Sequence, residues 1–363
     1  MGSQLLVPSR FDFKQVLIVL VSASLKKLTK THKVKPHHSS KREIRRMAFK
    51  SVLLAAGAIV ITASVASAQT VGIGTTAKGA TSQVSAAIAK VASQHAGMQM
   101  RPTPMAGTQK YIPAVNDGSL EFGVANIMQT AWSINGQVLS EGRPNPNIRL
   151  VATLMKFRVG PLVGKKTNFK SVGDLKGSRA PTGFKAAPLF NEIIKTALAT
   201  GDLTIADTKN VPISALVPSW KALMAGKIDF AIGAYGSGFM KLIAKKTGGI
   251  RFISMDMSPA TQAKVAKMMP GADIRTVQPN PKIPGVEVPT NLFHFDYMLF
   301  AGKHVSDDVA YRVAKAMHDN KKSLVGASPM WRGFNPKGMS KKQGDLKYHP
   351  GAIKLFKEKG IWK

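Results

Sequence analysis

The chain has no cysteine among its 363 residues. That excludes disulfide scaffolds, thiolate zinc sites, iron–sulfur clusters and cysteine nucleophiles, and leaves the redox compartment open. Acids are scarce: 19 Asp+Glu stand against 52 Lys+Arg, a formal net charge of +33. Long apolar runs are missing beyond the first fifth, where none approaches the ~20 residues that span a bilayer, so a polytopic membrane protein is excluded. Apolar residues still make up 44% with a mean hydropathy of −0.03. That is enough for a packed core and excludes wholesale disorder. The length fits about two domains.

The charge is unevenly spread. Residues 1–50 hold twelve Lys/Arg and the two acids Asp12 and Glu43, a surplus of +10. Residues 51–68 are uncharged, so 69–363 keeps 40 basic against 17 acidic residues, or +23. Val52–Val65 is apolar and 14 residues long, and Ala66-Ser67-Ala68 follows. Basic, then apolar, then small-x-small is the order of a cleaved secretory signal, with cleavage expected after Ala68. Met47-Ala48-Phe49-Lys50 would itself begin such a signal, so residues 1–46 read as an upstream extension from a misassigned start.

The remainder reads as a duplicated α/β unit. Thr70–Gly74 is a strand, Thr75–Thr81 a loop, and Ser82–Ala96 a helix whose Val84, Ala87, Ile88 and Val91 form one apolar stripe. A strand at Met98–Arg101 closed by Pro102, a helix at Thr108–Asn116 and a strand at Phe122–Ala125 follow. The order repeats as a strand at Ser178–Pro181, a loop at Thr182–Ala187 and a helix at Pro188–Thr200. A strand at Lys209–Pro212, a helix at Ser219–Ala225 and a strand at Phe230–Gly233 complete the repeat. Gly118–Ala125 (GSLEFGVA) matches Gly226–Gly233 (GKIDFAIG) at an offset of 108, and Thr75–Lys78 (TTAK) matches Thr182–Lys185 (TGFK) at 107. Two matches at nearly one offset predict two similar lobes. Alternating strands and helices imply mostly parallel sheets flanked by helices. Ile148–Leu154 and Val159–Lys165, joined by Met155–Arg158, read as the crossing between lobes. Phe293–Ala301 reads as the return after the proline-rich Gln278–Pro289, and helices at Asp307–Leu324 and His349–Gly360 end the chain.

Several chemical readings fail. Gly72-Ile73-Gly74-Thr75-Thr76-Ala77 fits a dinucleotide fingerprint, but that site needs an acid about 20 residues on, and no Asp or Glu occurs between Thr70 and Asn116. There is no Walker A, H-E-x-x-H or G-x-S-x-G motif. His95, His294, His304, His318 and His349 stand singly, without metal-ligand spacing. No catalytic residue, metal or cofactor is expected; His294 with Asp296 is the one conceivable dyad, and a structural pair is its plainer reading. Nucleic acid is not expected as a partner either, because the basic residues are dispersed and lack interleaved aromatics.

The two matched loops precede helices, whose N-termini present free N–H groups and partial positive charge suited to a carboxylate or phosphate. Thr75, Thr76, Thr108 and Thr182 offer hydroxyls, Lys78 and Lys185 formal charge, and Gly74 and Gly183 close backbone approach. Asn126, at a strand end, has an amide that donates and accepts. Tyr235 holds the corresponding position of the second lobe, and Arg158 at the crossing would clamp a carboxylate in bidentate fashion. Capping, turn or packing roles remain the alternative for each residue taken alone. Trp132, Trp220 and Trp331 read as packing residues.

The chain from about 70 to 363 resembles the TAXI-type solute receptors of tripartite ATP-independent (TRAP) transporters. Tyr348–Trp362 (YHPGAIKLFKEKGIW) is similar to that family's H-P-G-A…E-x-G-x-W ending, and Ile73-Gly74-Thr75 to its opening loop. Asp117-Gly118…Glu121-Phe122 and Asp174-Leu175-Lys176-Gly177 are similar to its internal marks. The opening departs from the family in having Thr76, Ala77, Ala80 and Thr81 where glycines and an aromatic are usual. The resemblance implies an α/β, two-lobed periplasmic binding protein (type II, Venus-flytrap), each lobe a mostly parallel sheet flanked by helices. Lobe I would span 69–157 and lobe II 158–276, with 277–363 returning through the hinge to complete lobe I. It further implies a monomeric periplasmic receptor that hands a small organic anion, a carboxylate or amino acid, to a TRAP permease without ATP hydrolysis. Contacts would fall on Gly74, Thr75, Thr76, Thr108, Asn126, Thr182, Gly183 and Tyr235. A sensor for a membrane partner and a periplasmic enzyme are the rivals. N-terminal sequencing of the exported protein is expected to read Gln69 first; a protein that retains residues before Ala68 would contradict the cleavage.

Overall fold

The computed structural model describes residues 69–362; the signal-sequence reading lies outside them. The chain opens with β1 (Gln69–Thr76), α1 (Ala80–His95), β2 (Met98–Met105), α2 (Thr108–Asp117), β3 (Phe122–Asn126) and α3 (Ile127–Ile134). The long strand β4 (Ile148–Gly164) follows. Next come β5 (Arg179–Thr182), α4 (Leu189–Ala199), β6 (Lys209–Pro212), α5 (Leu216–Met224) and β7 (Ala231–Ala234). After them lie α6 (Gly238–Thr247), β8 (Ile250–Phe252), α7 (Pro259–Met268) and β9 (Asp273–Val277). A second long strand, β10 (Thr290–Gly302), returns, and α8 (Asp307–Asp319), α9 (Lys321–Ala327) and α10 (Pro350–Glu358) finish the chain.

One mixed sheet runs β2-β1-β3-β10-β4-β7, with β8 added to β4 and β9 to β10. β5 and β6 form a separate parallel pair. Among the described strands the parallel ladders are β1–β2, β1–β3 and β5–β6. β4 and β10 are antiparallel to each other and to the strands beside them. They pair from Phe293↔Val159 to Gly302↔Ile148, with register shifts at Asp296/Met298 and Leu299/Phe300. Those shifts put extra β4 residues opposite β10, which bends and twists the ladder between the two lobes.

The apolar pattern accounts for the layers. On α1, Val84, Ala87, Ile88 and Val91 are buried at 2% exposure or less, as the 3.6-residue stripe requires. β4 is nearly continuous in apolar residues because both its faces are covered. Several expectations need correction. The crossing is one strand, not two joined by Met155–Arg158. β2 continues past Pro102 to Met105; as the outermost strand it need not donate every ladder hydrogen bond. α5 begins at Leu216, with Pro218 in its first turn. The helix read over Asp307–Leu324 breaks at Asn320 into α8 and α9, where the Asn320 amide turns back to donate to the Ala316 carbonyl at 2.8 Å.

The repeat has a physical counterpart. Glu121 accepts the backbone N–H of Gly72 on β1 at 2.5 Å. Asp229, its match 108 residues on, accepts the N–H of Arg179 on β5 at 2.7 Å. In each half a carboxylate after the Gly-turn ties the start of the third strand to the first.

The tail is structural. His349 caps α10: its Nδ1 accepts the Gly351 N–H at 3.3 Å, and its Nε2 donates to the Val305 carbonyl at 2.9 Å. The Nδ1 bond needs the neutral ring; burial lowers the His349 pKa in the same sense, and the bond to Val305 opposes the lowering. Pro350 stands in the first turn, where its missing N–H costs nothing. Tyr348 donates to the Lys341 carbonyl at 2.7 Å and packs edge-on to Phe356 and Trp362. The adjoining segment reaches the ladder, where Lys341 and Gln343 both bond the buried Asp296 carboxylate. At Gly351 a Cβ would overlap the Asp307 carbonyl, so α10 approaches α8 too closely for any side chain there. Gly351→Ala is expected to destabilise the protein by about 2 kcal/mol through overpacking, read as a lower urea midpoint with an unchanged m-value.

Candidate functional site

Every βα turn in the fold lies at the carboxyl end of its strand, the edge where ligands sit in open α/β sheets. The helices there differ in how their first N–H groups are met. Asn126 caps α3, Ser237 α6 and Ser258 α7 through their side chains. Beyond the turns, Ser306 caps α8 and His349 α10. No side chain caps α1, α2, α4 or α5, which begin after Gly79, Gly107, Pro188 and Ala215. These four are the helices after β1 and β2 and after β5 and β6, the equivalent pairs of the two halves. In α1, α2 and α5 the first N–H groups are left for water or a ligand, whereas in α4 Phe190 and Asn191 already donate to the carbonyls of Ala187 and Pro188.

The residues expected at the site fall into three groups. Thr75 is buried, and its hydroxyl donates to the Thr76 carbonyl, while Thr76 donates to the Lys78 carbonyl at 2.9 Å. Lys78 is exposed. Gly74 makes room for the Tyr111 side chain, whose Cβ an added Cβ would meet at 2.7 Å and whose ring at 2.8 Å, so its smallness serves packing. In the second loop Thr182 is half-buried, and Gly183 and Lys185 are exposed. Gly183 has φ +84°, as Gly79 has +94° in the first loop, and open space surrounds both. The third group is linked by hydrogen bonds. Asn126 Oδ1 accepts the Gln129 N–H at 2.9 Å, and its Nδ2 donates to Gln129 Oε1 at 2.8 Å. Gln129 Nε2 in turn donates to the Thr108 hydroxyl at 2.5 Å. The Thr108 proton and the second Asn126 N–H remain available.

At the crossing, the Arg158 carbonyl accepts the Tyr235 N–H at 2.9 Å. Burial raises the Tyr235 pKa, and the nearby Arg158 partly opposes the rise. Arg158 also faces His294 across the ladder. Among the described residues no hydrogen bond joins the Thr75–Lys78 loop to the Thr182–Lys185 loop. Three neighbours of the site escaped the sequence reading: Gln129, Thr81 and Tyr297. Tyr297 pairs in register with Asn126, and its phenol bonds the Thr81 hydroxyl in the first turn of α1. Burial pushes that phenol up to about 12, so it stays protonated. Only the long-range pairing of β10 with β3 brings these residues together, and no local pattern announces it.

Two lobes joined by crossing strands, with bare helix ends at the strand termini, define a periplasmic-type binding-protein fold. PhnD1 from Prochlorococcus marinus in complex with methylphosphonate is similar at 10% identity and a TM-score of 0.50, over 81% of this chain and 99% of that one. MatC from Rhodopseudomonas palustris with bound malate is similar at 14% identity and a TM-score of 0.49, over 73% and 89%. The aliphatic sulphonate binding protein SsuA from Escherichia coli is similar at 12% identity and a TM-score of 0.42, over 71% and 72%. The chain belongs to the NMT1-like family, whose pattern matches residues 73–360.

His294 bears on stability. Its buried Nε2 has no partner among the described residues. Burial, aided by Arg158 and opposed by Asp273, lowers its pKa to about 4; Arg275 and Lys156 add to the lowering. The folded state therefore binds this proton less readily than the unfolded chain, whose His titrates near 6.5. The contribution is intact above about pH 6.5 and is lost as pH falls toward 4. Stability measured by urea unfolding is expected to drop over that interval by on the order of 1 kcal/mol, after allowance for solvent reaching the ring. His294→Gln is expected to flatten the drop.

Proposed function

We propose that the protein is an exported receptor that captures a small organic anion between its lobes and presents it to a TRAP permease, as a TAXI-type member of its family. It acts in the periplasm as a monomer and is not an enzyme. Lobe I spans 69–157, lobe II 158–276, and 277–363 returns to lobe I. The observation that carries this reading is the set of four uncapped helix N-termini, paired between the two halves. The bare N–H groups of α1 favour a carboxylate, with Thr75, Thr76 and Lys78 on one side and Thr182, Gly183 and Lys185 on the other. Thr108 and Asn126 add donors, Tyr235 covers the ligand, and Arg158 pairs with its charge. The acid-free stretch from Thr70 to Asn116 leaves nothing on that side to repel an anion. Lobe closure would exclude water and strengthen each of these contacts.

The sensor reading uses the same site and differs only in the partner; a permease gene beside this one favours transport. After stripping of carried-over ligand, protein with a carboxylate at 100 times its Kd is expected to gain about 2.7 kcal/mol in stability. Arg158→Gln is expected to weaken that carboxylate about tenfold, the worth of one charge-assisted hydrogen bond. No stabilisation by any organic anion would sink the reading.

A further inference from the structure

β4 is apolar for most of its length, and its apolar side chains are buried with one exception. Leu150, Val151, Ala152, Leu154, Met155, Val159, Leu162 and Val163 are each 4% exposed or less. Phe157 alone is only half-buried. It lies where the two long strands cross, one residue before Arg158, and is paired in register with Phe295. The two rings are nearly parallel, 9° apart with centroids at 6.0 Å. Tyr297, two residues on, tilts against Phe157 at 5.2 Å. Strand alternation sets all three rings on one face. Through Thr81 and the Tyr297 phenol, that face carries the first turn of α1, one of the uncapped helix ends. A row of aromatic rings thus leads from the first turn of α1 to Phe157, the one ring of the three that is only half-buried.

Cross-strand aromatic pairs commonly stabilise sheets, and Phe295 and Tyr297 serve that end, being 6% exposed. Such a role does not account for Phe157. A ring that only supported the ladder would be covered, as its apolar neighbours on β4 are. We propose that the interlobe site takes an anion that carries an aromatic ring, with the ring stacked on Phe157 and the acid directed to the bare end of α1. The proposal rests on the anion reading of the cleft and names the ligand's second half. A planar π-system gains from offset or edge contact with Phe157, whereas a saturated ring of equal size gains only area.

The test is titration calorimetry on protein unfolded in denaturant and refolded to remove carried-over ligand. The probes are benzoate, cyclohexanecarboxylate, acetate and the neutral ring compound benzyl alcohol. Benzoate is expected to bind about fivefold more tightly than cyclohexanecarboxylate, the worth of one aromatic contact. Phe157→Leu is expected to reduce that ratio to about one while leaving acetate unchanged, and Phe157→Trp to restore it. A melting temperature near that of the parent shows the variants folded. A ratio that survives Phe157→Leu, or cyclohexanecarboxylate binding as well as benzoate, would overturn the proposal. If the acids fail but benzyl alcohol binds in a Phe157-dependent way, the ring site stands and the anion reading falls. If no probe binds, both fall.

Discussion

The antiparallel ladder between β4 and β10 is the constraint on which the rest depends. Each strand is long enough to serve both lobes. One end of the pair carries β3 and, beyond it, β1 and β2; the other carries β7, β8 and β9. The candidate site draws on both ends and on the crossing itself, through Asn126 beside Tyr297 and Tyr235 beside Arg158. The register shifts at Asp296/Met298 and Leu299/Phe300 place irregular pairing where a hinge would bend. The Asp296 carboxylate at that point is held by Lys341 and Gln343, so the C-terminal segment braces the same spot.

Much of this fold was legible locally. α1 announced itself because its stripe is amphipathic, and the loops of the two halves because they share residues at one offset. The matched Glu121 and Asp229 were noticed as sequence and prove to be the same hydrogen-bond device in each half. What stayed hidden depends on distance along the chain. α7 has only a weak apolar stripe and β8 and β9 are short, while α6, amphipathic though it is, was not read. The role of Asn126 as cap of α3 was missed because α3 itself was not read. Phe157 lay in Met155–Arg158, read as the join between two strands, so no sheet face could be assigned to its ring.

The scarcity of acids gains a structural meaning. Few carboxylates are free to shape a binding surface because many complete local structure. Asp117, Asp174, Asp207 and Asp256 each accept hydrogen bonds from a turn, led by Ser119, Ser171, Thr204 and Ser258, and are held below their ordinary pKa by those bonds. Arg179 and Asp229 pair at a partly exposed site, where the bond fixes geometry more than it adds stability. The surplus of cations is therefore a background field, able to raise the local concentration of anions. In the receptor proposed above, discrimination would fall to neutral hydroxyls, amides, rings and backbone N–H groups.

The order of strands in the first lobe also governs when the chain can fold. β3 finds its second neighbour only when β10 has been made, 171 to 179 residues later in the chain. The edge of β4 is closed later still, by Tyr348 and the tail to Trp362. Pairings so distant in sequence form slowly, because the intervening loop must close before the contact stabilises it. A ribosome releasing this protein from its N-terminus would hold a first lobe without its last strand until synthesis was nearly complete. For the exported receptor proposed above, the chain would stay open over the period in which a secretory channel threads it as an extended strand.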